Sequence, residues 1–134
     1  MENELSSEWL RLQRETVNEI EQVVRKVDFN TMNILAIAVA GLCDVDVADM
    51  LSSSNRLHIS QSRWLFWYAL RWYSNDTYTQ ISEKTAFDGH RFGFRSVADG
   101  ITKMSDLIDI DHAWKNRWVI IKKIIKSIKE KDIL

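Results

Sequence analysis

The run RWLFWYALRWY, residues 63–73, constrains this chain more than any other stretch of it. Wound as a helix, it is apolar or aromatic around nearly its whole circumference, and such a helix is normally central and enclosed. The rest of the chain must therefore supply apolar faces to wrap it. With 134 residues and 46% hydrophobic content, the chain is long enough for one compact domain with a core.

The surrounding sequence offers such faces, mostly at helical spacing. Trp9, Leu12, Val17, Ile20, Val24 and Val27 recur at steps of three to five with charge between them, predicting an amphipathic helix over residues 7–27. Asn30 or Thr31 can cap a second helix running to about Leu42. In DVDVADML, Asp46 is a candidate N-cap for a short helix ending near Leu51. Residues 52–60, SSSNRLHIS, read as a polar connector before the aromatic helix.

Thr77 and Gln80 have the spacing of a capping box and predict a helix from there to about Thr85. Ser96, Val97, Ile101 and Met104 continue as another helix, expected to end at a loop formed by SDLIDID. From Asp111 onward, Trp114, Trp118, Ile121, Ile125 and Ile128 form one face, and Lys115, Lys122, Lys126 and Lys129 surround the other. Asp109 and Asp111 are expected to cap that helix. No stretch reads as a strand. The expectation is an all-α domain of six or seven helices.

The chain contains no proline and only four glycines, so no interdomain linker is expected. The domain divides into an N-terminal amphipathic helix (1–30), a central core (31–105) and a basic amphipathic helix (106–134). Cys43 is the sole cysteine and allows no internal disulfide, which fits a reducing, cytoplasmic compartment. The opening MENELSSEW is acidic and lacks an apolar stretch, so no signal peptide is expected. The longest apolar run, residues 34–43, is too short to span a bilayer.

His58, His90 and His112 are far apart, and no metal-ligand spacing occurs. No nucleophile–base arrangement stands out either, so the expectation is a non-enzymatic protein with no metal or other cofactor. Charge is unevenly placed. Residues 1–50 carry ten acidic and four basic side chains, whereas residues 51–134 carry nine and fourteen. Local patches of this kind matter more for phosphate attraction than the net charge of −1.

Two predicted helices, Thr77–Thr85 and Phe94–Met104, flank AFDGHRFGFRS and form a helix-turn-helix pattern. In DNA-reading examples the first residues of the second helix meet base edges. Here those are Phe94, Arg95 and Ser96, with His90 and Arg91 just before them. Arginine suits guanine edges or phosphate, serine bonds either, and phenylalanine offers only contact with a thymine methyl. The same pattern also arises from packing alone, with Phe92 and Phe94 folded back as anchors of the turn.

The framework around this pattern resembles the C-terminal duplex-DNA-binding domain of the bacterial replication initiator DnaA, over about residues 35–104. That family reads A-V-A-x-x-x-x-V-S-V-x-D-L-L-S where this chain has AVAGLCDVDVADMLS, residues 38–52. In SQSRWLFWYALRWY, Arg63 and Arg71 match the family's arginines, and Thr77–Ile81 matches its S-L-P-E-I. Gly93–Met104 aligns with the family's base-reading D-H-T-T and the helix behind it, after a longer turn. The resemblance implies a Trp-repressor-like fold and binding of double-stranded DNA, in replication or its regulation.

On the helix-turn-helix reading, Arg91, Arg95 and Ser96 would approach the major groove, with His90 and Phe94 beside them; the resemblance places Gly93–Ser96 at the family's base-reading stretch. Arg56, His58 and Arg63 would hold the DNA backbone. The initiator's ATPase module has no counterpart, since no G-x-x-x-x-G-K-[ST] motif occurs, and no nucleotide is expected. The alternative is an interaction module with the same fold, using exposed aromatic side chains to bind a protein or to form a homodimer. No membrane partner is expected; the lysine face reads as solvated.

Overall fold

The computed structural model describes residues 31–133, with side chains to residue 130. It contains six helices: α1 (Thr31–Cys43), α2 (Val47–Met50), α3 (Leu57–Ser74), α4 (Tyr78–Lys84), α5 (Phe94–Ile110) and α6 (His112–Ile133). The only strand-like pairing among the described residues is an antiparallel bridge between Phe87 and His90. The all-α expectation is met. The helix expected over residues 7–27 lies outside the described residues.

The aromatic helix is the hub, for α3 packs against each of the other five helices. Leu65, Phe66, Trp67, Ala69 and Leu70 are buried, and around them lie Leu35 and Val39 of α1, Met50 of α2 and Ile81 of α4. Val97, Ile101, Met104 and Ile108 give α5 its buried stripe; Trp114, Trp118, Ile121, Ile125 and Ile128 do the same for α6. Alpha-helix spacing and the need to bury apolar area thus coincide along both helices. α5 approaches α3 tightly at Gly100. A Cβ there would stand 2.6 Å from Trp64 Cδ1 and 2.8 Å from Trp67 Cε3, so only glycine lets α5 lie this near α3.

Helix ends follow local chemistry. α1 closes in a Schellman motif: Val45 N–H donates to the Ala40 carbonyl (3.0 Å) and Asp44 N–H to Gly41 (3.3 Å). Asp44 adopts the required left-handed conformation (φ 56°) without being glycine. Asn75 ends α3 in the same conformation. At α4 the capping box is complete, with Gln80 N–H donating to Thr77 Oγ1 (3.1 Å) and Thr77 N–H to Gln80 Oε1 (2.8 Å).

Two boundaries differ from the sequence reading. The connector ends at Arg56 rather than Ser60, because Leu57–Ser60 already form the first turn of α3. SDLIDID is not a loop but the last turns of α5, since Ile108 extends the buried row of Ile101 and Met104. Asp111 alone separates α5 from α6. Its Oδ1 accepts from Ala113 N–H (2.9 Å) and Trp114 N–H (3.2 Å), which is the expected N-cap.

Candidate nucleic-acid interface

α4 and α5 pack against each other and are joined by residues 85–93. A compact helix-turn-helix uses about three or four residues there, so this connection is long enough to hold structure of its own. Phe87 and His90 exchange both backbone hydrogen bonds at 2.9 Å. Between them Asp88 (φ 51°) and Gly89 (φ 75°) both take positive φ, the geometry of a type I′ hairpin turn. The turn is therefore a miniature hairpin. The Asp88-Gly89 pair is its sequence signal.

Phe92 fastens this hairpin to the core. Its ring meets Trp67 edge-on at 5.3 Å and His90 at 4.5 Å, and the Arg63 guanidinium lies over it at 4.4 Å. Ser82 of α4 donates its hydroxyl hydrogen bond to the Phe92 carbonyl. The anchor expected of the phenylalanines is thus Phe92 alone. Phe94 is 53% exposed, with Arg95 beside its ring at 5.9 Å.

With the turn held at its base, Arg91, Phe94, Arg95 and Ser96 all project to solvent around the start of α5. No side chain caps that helix, whose N-cap is Gly93. Its first N–H groups and the positive end of its dipole are therefore left open at a helix start that also carries exposed Arg95 and Ser96. This is a surface suited to anions. Asp88 and Asp99 are exposed nearby and limit its positive potential.

The remaining assigned residues do different work. Arg63 is corrected from a phosphate contact to an internal clamp, being only 3% exposed. Its Nε donates to the Met50 carbonyl (2.8 Å), and Nη2 donates to Ser52 (2.7 Å) and Ser54 (3.0 Å). Burial pulls its pKa below the usual arginine value. Planar, fixed donors suit a cation that must satisfy three carbonyls at once. Arg63 therefore ties the 50–54 loop to Phe92 and the hairpin.

His58 is exposed, but its Nε2 is engaged at 2.5 Å with the Cys43 carbonyl and its ring tilts toward Trp114 at 6.5 Å. His90 is half-buried, and its Nε2 is buried without a hydrogen-bond partner. The ring therefore supports Phe92 rather than presenting that nitrogen to a groove. Arg56 is exposed, in a cleft of about 440 Å³ that also holds His58, Asp44, Asp46 and Asp49. Three carboxylates there offset its charge.

Arg71, the other arginine matching the DnaA pattern, is also a clamp. It donates to the Asp76 carbonyl and lies over Tyr78 at 4.9 Å, fixing the turn into α4. Lys84 adds an ion pair to Asp76 at 2.6 Å, which holds that carboxyl below its ordinary pKa. Cys43 is buried at the end of α1, where burial raises its thiol pKa. Among the described residues, no group of His, Cys, Asp and Glu is arranged to hold a metal ion, and no helix is long and apolar enough to cross a membrane. Comparison with family models, curated proteins and solved structures finds no match.

Proposed function

We propose that this chain is a non-enzymatic binder of double-stranded DNA. α4, the hairpin turn and α5 form a lengthened, DnaA-like helix-turn-helix of Trp-repressor type. The observation that carries the reading is the cluster of Arg91, Arg95 and Ser96 around the uncapped start of α5, on a turn anchored by Phe92. Arg95 and Ser96 would approach base edges, Arg91 a phosphate, and Phe94 a thymine methyl. Arg56 is the remaining candidate for a backbone contact. By resemblance, the process served is replication or its regulation; the lone Cys43 fits a cytoplasmic location.

A second reading has its own support. Asp88 and Asp99 lie among the exposed arginines, and the half-exposed Trp72 offers an apolar contact elsewhere. On this reading the fold is kept and the partner is a protein or a second copy.

Fluorescence anisotropy of a labelled duplex, at several salt concentrations, separates the two. The DNA reading expects a steep loss of affinity with salt. Arg91→Ala or Arg95→Ala should weaken binding and lower the salt slope by about one for each phosphate contact removed. Absence of binding at low salt would overturn it in favour of the second.

A further inference from the structure

Trp72, at the end of α3, is 49% exposed, and Val119 of α6 is 45% exposed. Both line a groove of about 600 Å³ whose remaining lining residues all belong to α6. Ile125 completes its apolar floor, and Lys122, Lys123, Lys126 and Lys129 stand exposed along its edge. Lys122 Nζ sits 5.5 Å from the Trp72 ring, so the cationic edge and the apolar floor are continuous. We propose that this groove docks a partner protein through an acidic amphipathic helix, its apolar side chains on the floor and its carboxylates on the lysines. The proposal is independent of DNA binding.

Charge selects the sign of the occupant. Glu130 is the lone acid among the lining residues, against four lysines, and no ion pair to a described carboxylate engages any of the four. The spread of that charge selects its form. Lys122 to Lys129 covers about 10 Å of helix, so a ligand with a single anionic group would leave most of the edge unmatched. A row of carboxylates at helical spacing meets all of it. From Val119 to Lys129 the groove offers about 15 Å, roughly three turns of a docked helix. Trp72 supplies the buried anchor for such a helix, while the lysines at the rim set its orientation and speed its arrival.

Other occupants fit less well. Isologous pairing with a second copy would set the same four lysines against one another. A lipid surface needs a broad apolar face, but Trp114, Trp118, Ile121, Ile125 and Ile128 of α6 are turned into the core. Val119 is the one exposed large apolar side chain of that helix among the described residues. Single-stranded nucleic acid stacks on successive aromatic side chains, and Trp72 is the only ring that lines this groove.

Selection of displayed random peptides of about fourteen residues, four helical turns, on the full-length native chain tests this. The enriched peptides should carry apolar residues at steps of three and four with Asp or Glu between them. In fluorescence anisotropy they should bind the native chain about tenfold more tightly than Val119→Asp or Lys126→Glu. Both substitutions are at exposed positions and should leave helical circular dichroism intact; if Val119→Asp does not fold, Lys126→Glu decides. Arg91→Ala with Arg95→Ala should leave peptide affinity unchanged, whatever it does to DNA binding. No enrichment, enriched peptides without acidic residues or without the apolar period, or affinities indifferent to the groove variants in folded protein would each overturn the proposal. So would self-association, or binding of oligothymidylate or phosphatidylglycerol vesicles, that replaces peptide binding and is lost in Lys126→Glu.

Discussion

Two pairs of arginines show how differently one side chain is used within a single small domain. Arg63 and Arg71 lie on the enclosed α3, and their guanidinium groups donate to carbonyls of the loops on either side of it. Arg91 and Arg95 lie on the hairpin and the first turn of α5, and their side chains face water. The inner pair sets the shape on which the outer pair is displayed. Here the arginines among the aromatics brace loops, whereas those beside the anchored glycine-bearing turn stay exposed.

That contrast predicts a graded series of effects. Arg63→Ala should be the most damaging, destabilising by about 3 kcal/mol because three carbonyls lose a charged donor; chemical denaturation measures it. Arg63→Lys should recover only part, since an ammonium cannot reproduce the planar fork. Gly100→Ala should cost about 2 kcal/mol, as its Cβ forces Trp64 and Trp67 apart. If it were neutral, the close packing of α3 and α5 would not be what fixes the position of α5.

Thr77→Ala should cost about 1 kcal/mol through loss of the capping box, seen as a lowered melting temperature. The Asp76–Lys84 pair is smaller, because an ion pair with an exposed partner contributes about 0.2–1 kcal/mol. Its sign is fixed: with the Asp76 pKa depressed in the folded protein, the stabilisation is present above the ordinary carboxylate value of about 3.9 and fades as pH falls through the folded value. Asp76→Asn should remove that part of the pH dependence. Arg91→Ala and Arg95→Ala should change stability by no more than about 0.5 kcal/mol. A large loss at either would erase the contrast between the pairs.

What was legible in the sequence was local or periodic. Thr77 and Gln80 announce their capping box at a spacing of three, and the buried stripe of α6 is visible in its tryptophans and isoleucines. The start of α5 at Phe94 was also legible. The end of α5 was missed because Ser105, Asp106 and Asp109 suggest a loop, although Ile108 continues the row of Met104 and Ile101. Within the candidate site, the polar character of Arg91, Arg95 and Ser96 already indicates their exposure. Burial of Arg63 is not so indicated, and nothing local could reveal it: its acceptors are backbone carbonyls 9 to 13 residues away. The hairpin is legible in Asp88-Gly89, the pair that a type I′ turn favours.

The most direct test of the central claim is a titration of ¹⁵N-labelled protein with an unlabelled DNA duplex, following amide shifts residue by residue. The account predicts that the largest changes fall on residues 91–97, at the hairpin and the start of α5, and that Arg91→Ala with Arg95→Ala removes them without altering the fold. Changes absent from that segment, or confined to the face around Trp72 and Val119, would contradict it.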